Sequence, residues 1–111
     1  MSITSSAVIV AGYKITAEEW EKGFDYYEKN WKYLPDDIED MFIDMDGITG
    51  RRSDNTFFGE IIYEADEYSS PVELDSILLN KNMVERIETA YRSIYHTDPP
   101  TLKKYIGLRW S

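Results

Sequence analysis

AVIVAGYKITAEEWEKGFDYYEKNW, residues 7–31, joins two periodicities in one run. Ala7 to Tyr13 is apolar and β-branched with no polar alternation, the pattern of a strand covered on both faces. Thr16-Ala17-Glu18-Glu19 then has the spacing of a capping box, in which the Thr16 hydroxyl and the Glu19 carboxylate each take the other's backbone N–H. Behind it Trp20, Phe24, Tyr27 and Trp31 recur at i, i+4, i+7 and i+11, which is one face of a helix over residues 17–31. A strand that passes directly into an amphipathic helix implies a sheet with helices packed on it.

Pro35 suits the first turn of a second helix, and Asp36 and Asp37 suit its positive end. Ile38, Met41, Phe42 and Met45 would be its buried face, with Gly47 and Gly50 ending it. Arg51 to Asn55 reads as a turn. Thr56 to Ala65 reads as a strand, with Phe57, Ile61 and Tyr63 on one face and Phe58, Glu60, Ile62 and Glu64 on the other. Gly59 in mid-strand marks a bulge or a close approach. Residues 67–71 are a loop, and 72–79 fits either a short strand or the start of a helix. Val84, Ile87, Tyr91, Ile94 and Tyr95 stripe a helix over 82–95. After the break at Asp98-Pro99-Pro100, Leu102 to Trp110 alternates as a last strand.

The expected fold is therefore one domain over residues 1–111, α+β or α/β, with a three- to four-stranded sheet packed by three helices in the order β-α-α-β-(β)-α-β. Its expected core is Trp20, Phe24, Tyr27, Trp31, Ile38, Phe42, Ile61, Ile87, Tyr91, Ile94 and Ile106.

Composition narrows the chemistry. The chain has no cysteine, which excludes disulfides, thiolate metal sites and cysteine nucleophiles. Its net charge is −9, unevenly spread: residues 17–80 hold 18 acids against five bases, whereas residues 81–111 hold six bases against three acids. A body this acidic repels nucleic acid and anionic membrane and attracts a basic protein. The N-terminal stretch lacks a basic segment, and its apolar run is short for a signal peptide or a membrane span, so the expected location is cytoplasmic.

The most catalytic-looking stretch is PDDIEDMFIDMDGITG, residues 35–50. With Gly47 at position six of a calcium loop, Phe42 and Ser53 would fall where acids are required, so the calcium reading fails. MFIDMDGIT, residues 41–49, resembles the first motif of haloacid dehalogenase-like phosphatases, in which an apolar strand ends in two aspartates followed by Gly and Thr. It departs from that motif at Ile48, it lies nearly halfway along the chain, and the Ile38–Met45 spacing is helical. The simpler expectation is that Asp36, Asp40 and Asp44 form one solvated helix face. His96 is the only histidine, so it has no partner for a typical zinc site, and its place after the third helix suits the helix dipole. No cofactor or metal is expected.

The expectation from these observations is a non-enzymatic interaction domain with a basic protein partner. The expected binding residues are Asp25, Tyr26, Asp36, Asp37, Glu39, Asp40 and Asp44, with Tyr26 as an exposed anchor. An inhibitor or immunity protein of a nuclease fits, as does a phage-encoded DNA mimic, although Lys22, Lys29 and Lys32 interrupt the acidic face that strict mimicry needs. The order of elements resembles that of the barstar-type ribonuclease inhibitors, small acidic proteins with helices between strands and a final C-terminal strand, a resemblance of architecture alone. Two alternatives are a small carboxylate enzyme or ligand-binding domain built on Glu60, Glu64 and a tyrosine, and a module that self-associates as a homodimer through the strands at 56–65 and 102–110.

Overall fold

The computed structural model describes residues 5–44, 55–65, 72–73 and 77–110. Strand β1 (Ser5–Ile15) leads into helix α1 (Ala17–Asn30). Next come strands β2 (Phe42–Asp44) and β3 (Thr56–Ala65), helix α2 (Lys81–Tyr95) and strand β4 (Lys103–Trp110). The strands form one antiparallel sheet in the order β2-β3-β1-β4. The fold is α+β, and the described residues form a four-stranded sheet and two α-helices rather than three.

The capping box forms as expected: the Glu19 N–H donates to the Thr16 hydroxyl at 3.1 Å, and the Thr16 N–H donates to the Glu19 carboxylate at 3.2 Å. At the start of α2, the Asn80 side chain accepts from the Asn82 N–H. At its end, His96 adopts a left-handed conformation with φ 55° and donates its N–H to the Arg92 carbonyl.

Both helices lie on one face of the sheet. There Ala11, Tyr13 and Ile15 of β1 and Phe58 of β3 pack with Ile87, Tyr91 and Ile94 of α2, while Trp20, Phe24 and Tyr27 of α1 join from the rim. Val8, Val10, Ile43 and Phe57 form a second buried cluster, joined by Tyr105. The unalternating apolar run of β1 thus serves two cores, as its sequence requires.

Gly12 and Gly59 are cross-strand partners and approach closely. A Cβ on either would lie 2.7 Å from the other's Cα and would strike the neighbouring carbonyl oxygen. Only glycine fits where two backbones come this near. Beyond this point the β1–β3 register shifts between Ile9 and Val10, leaving Ile62 as the extra residue of a bulge.

The expected second helix at 35–45 does not form. Asp37 has φ 71°, which breaks helical continuity after Pro35. Residues 39–41 make a single 3-10 turn, and Phe42 to Asp44 are extended. Ile38, Met41 and Phe42 are buried, as a helix would also demand, but so is Ile43. Pairing with β3 sends Phe42 and Ile43 into the two different clusters, which no helix face can do. The helical spacing held against the phosphatase-like motif therefore falls away, although Asp46, Gly47 and Thr49 of that motif lie outside the described residues. So do Met45 and Gly50 of the expected helix end, the turn at 51–54 and the loop at 67–71. Within 72–79, the described positions 72–73 and 77–79 belong to no helix or strand.

Three expected core residues are exposed: Trp31 at 57%, Ile61 at 36% and Ile106 at 66%. Trp31 sits one turn past the part of the helix that covers the sheet. Ile61 lies at the bulge, where strict alternation ends. Ile106 pairs with Ile9, four residues beyond Leu102, which packs against the helix-side core just before β4 begins.

Gly12→Ala and Gly59→Ala should each cost about 1–3 kcal/mol, because the obstructing atoms are backbone. Phe42→Ala should cost about 3–5 kcal/mol, but Trp31→Ala less than about 1 kcal/mol. Denaturant unfolding midpoints check all four. Tyr13 supplies a pH test. Its buried hydroxyl makes no hydrogen bond to the protein. Burial, with Glu88 second, pushes its pKa from 10.0 up to about 12. A raised folded pKa means that this contribution to stability is whole below pH 10.0 and is lost as pH climbs toward about 12. Tyr13→Phe should flatten that alkaline loss and leave the neutral-pH stability equal or higher, as read from unfolding free energy against pH.

Candidate interaction surface

The surface begins where α1 ends. Trp20, Phe24 and Tyr27 ring Phe42, with centroids at 5.9, 5.5 and 6.4 Å. Trp31 and Tyr33 follow in a 3-10 turn that outruns the sheet, and Tyr33 is 86% exposed. The Lys32 ammonium lies 5.7 Å from the Trp31 ring centroid. After Leu34 and Pro35 the chain turns at Asp36 and Asp37 and returns past Glu39 and Asp40 to β2.

The returning segment folds back on α1. The Tyr27 hydroxyl donates to a Glu39 carboxylate oxygen at 3.5 Å. Desolvation raises the Tyr27 pKa, and Glu39, Asp40 and Asp36 raise it further. Glu39 therefore contacts this phenol, and Asp40 and Asp36 act on it through their charge, a single turn of helix before Trp31. Asp36, Asp37, Glu39 and Asp40 are all exposed, and none pairs with a Lys or Arg among the described residues.

Beside them an open cleft of about 740 Å³ is lined by Asp37, Glu39, Asp40, Asp44, Glu60 and Arg86, with Phe42 and Ile61 at its base. Arg86 is spent within it, making a two-pronged bond to Glu60 at 2.8 and 2.7 Å. That bond holds the guanidinium still more firmly charged. The cleft keeps four further carboxylates. Among the described residues, no group of three or more His, Asp or Glu side chains is arranged to hold a metal ion.

The expected site residues divide. Asp37, Glu39, Asp40 and Asp44 line one cleft, not along a helix but around a turn and a strand end, while Asp36 lines a separate groove with Pro35, Ile38 and Glu85. Asp25 and Tyr26 lie elsewhere, in a groove of about 600 Å³ between α1 and α2 shared with Lys22, Lys29 and His96. Tyr26 is half-buried, with its ring edge-on to His96 at 5.1 Å, so it is not the free aromatic expected from its position off the helix stripe. Among the described residues, the exposed aromatics are Trp31 and Tyr33. Sequence periodicity placed Trp31 in the core because it reports which face a residue shares, not where the sheet beneath it stops. Tyr33, between Lys32 and Leu34-Pro35, carried a signal only as a large aromatic just past a helix end.

Among the described residues, neither Glu64 nor any tyrosine lines the cleft, so the described residues do not group Glu60 with Glu64 and a tyrosine there. No helix among the described residues is long and apolar enough to cross a membrane. No protein-family model, curated protein or solved structure matches the chain, and the likeness to barstar-type inhibitors has no counterpart among such matches.

Glu39→Gln should bring the Tyr27 pKa back toward its ordinary value, since the carboxylate disfavours the phenolate both by charge and by hydrogen bond. The tyrosine ring-carbon NMR signals followed through alkaline pH check this, and an unmoved Tyr27 titration would place Glu39 away from the hydroxyl in solution.

Proposed function

We propose that this protein is a non-enzymatic interaction domain whose acidic, aromatic face binds a basic protein. The partner class that suits it best is a nuclease or other nucleic-acid enzyme, with this chain as an inhibitor or immunity-type protein. One observation carries the reading. Trp31 and Tyr33 stand 57% and 86% exposed next to a run of exposed carboxylates with no cationic partner among the described residues. Exposed aromatics among charges are the composition of a binding hot spot with a polar rim. Unpaired carboxylates would steer a cationic surface into place.

Protein-specific inhibition is favoured over nucleic-acid mimicry. A phosphate mimic gains nothing from Trp31 and Tyr33, and Lys32 adds a positive charge four residues before Asp36. A cytoplasmic setting fits a chain without cysteine.

Affinity capture from the native host, identified by mass spectrometry, would supply the partner, and surface plasmon resonance would supply the rates. Reversal of Asp36, Asp37 and Asp40 to Lys should slow association by about tenfold and flatten its salt dependence, because at 0.15 M salt the screening length is about 8 Å. Tyr33→Ala should instead speed dissociation, by an amount near the hot-spot threshold of about 2 kcal/mol. Melting temperature should barely move for Tyr33→Ala, whose side chain is exposed, whereas the reversal should cost about 1 kcal/mol of stability through Asp37→Lys, because φ there is 71°. A partner that binds the reversed variant as fast and as tightly as the wild type, at every salt concentration, would refute the proposal.

A further inference from the structure

We propose that the indole face of Trp31 is a seat for an arginine side chain of the basic partner, and that Lys32 occupies this seat in the free protein. The inference rests on the reading of this face as a surface for a basic protein, and goes beyond it by naming the group recognised and a competitor built into the chain.

Three observations carry it. The Lys32 ammonium lies 5.7 Å from the Trp31 ring centroid, inside the distance at which a cation is attracted to an aromatic face. Lys32 makes no salt bridge among the described residues, although acids far outnumber bases in this chain, so the ring is its recorded partner. The ring is 57% exposed, so a second cation can reach it.

The surroundings favour a cation and select among cations. Glu39 bonds the Tyr27 hydroxyl one helical turn earlier on the same stripe, and Asp36 and Asp40 act on that same group. A side chain on Trp31 therefore lies in a negative field. A guanidinium is planar and weakly hydrated, and it stacks flat on an indole while its edge N–H groups stay available to carboxylates. An ammonium is a compact, strongly hydrated charge and gives up more water for the same ring. Arginine from a partner should thus displace Lys32, and the displaced ammonium returns to water with little loss. An exposed contact of this kind is worth a factor of about two to five in affinity. Until a partner arrives, the Lys32 stem and ammonium stay with an aromatic ring that is otherwise open to unwanted contacts.

The test uses a blocked tetra-arginine peptide, with tetra-lysine as the comparison, at low salt. Binding is followed by the tryptophan indole N–H signals in NMR, and Trp31→Phe identifies the Trp31 signal. Two variants carry the same charge change. Lys32→Ala empties the seat, whereas Lys29→Ala removes a lysine that lines the groove with Tyr26 and His96 instead. The arginine peptide should shift the Trp31 indole signal. It should bind Lys32→Ala about two- to fivefold more tightly than Lys29→Ala, with a smaller gain for the lysine peptide. Equal affinities for the two variants, or arginine binding that leaves the Trp31 signal unmoved, would overturn the seat. If reversal of Asp36, Asp37 and Asp40 still abolished peptide binding in that case, the acidic surface would stand and the seat alone would fall. If the wild type bound neither peptide, both readings would fall together.

Discussion

The ring of Phe42 holds this structure together. Trp20, Phe24 and Tyr27 reach it from α1 and Phe58 from β3, with the Trp20, Phe24 and Phe58 contacts edge-on at 79°, 89° and 81°. Such pairs contribute about 0.5–1.5 kcal/mol each beyond the area they bury. The ring cannot drift, because Phe42 is the cross-strand partner of Phe58 and its backbone is fixed by that pairing. The helix must come down close to it. Gly23 allows this, since a Cβ there would lie 2.7 Å from the Tyr95 ring and 3.0 Å from that of Phe42. Tyr95 in turn donates its hydroxyl to the Glu19 carbonyl at 2.9 Å, tying α2 to α1. Once α1 and Phe42 are so placed, residues 31–41 have one task, to travel from the helix end back to the edge of the sheet. Only Ile38 and Met41 of that stretch are buried. Leu34 is half-buried against the helix-side core, and the remaining side chains are released to solvent and include those of the candidate surface.

What the sequence reveals and conceals follows from the same geometry. The capping box, the stripe of α1, the helix at 81–95 and the strands at 5–15, 56–65 and 103–110 are local patterns, and local patterns survive folding. The segment 38–44 is different. Ile38, Met41 and Phe42 satisfy helical spacing, and only the third consecutive apolar residue, Ile43, favours a strand that serves two cores. Periodicity assigns each residue to a face but not to the part of that face which is covered. Trp31, Ile61 and Ile106 all lie on plausible faces and all fall where coverage has stopped or register has shifted. The acidic cluster was legible as composition, yet its grouping was not. Four of the expected carboxylates, Asp37, Glu39, Asp40 and Asp44, share one cleft because the chain turns at Asp37, and Asp25 departs because it lies on the flank of α1 that faces the groove with α2.

Solubility accounts for carboxylates on a small domain, because net charge of either sign keeps copies apart. It does not account for Trp31 and Tyr33. An aromatic side chain exposed in the folded chain gains little from folding, since burial is what stabilises it. Two such residues at one place are therefore better explained by an event after folding than by folding itself. The same surface explains how they are tolerated. The chain's −9 charge opposes self-association, and the Lys32 ammonium sits over the Trp31 ring. Charge and aromatic area then act at different stages of an encounter. The field of the carboxylates extends about a screening length and acts before contact. The indole and phenol act only at contact, where water is expelled from their faces. A surface with the first property alone would attract any basic protein and hold none of them for long. On the proposed reading, the aromatic pair would give this one a means of retaining a partner whose side chains fit.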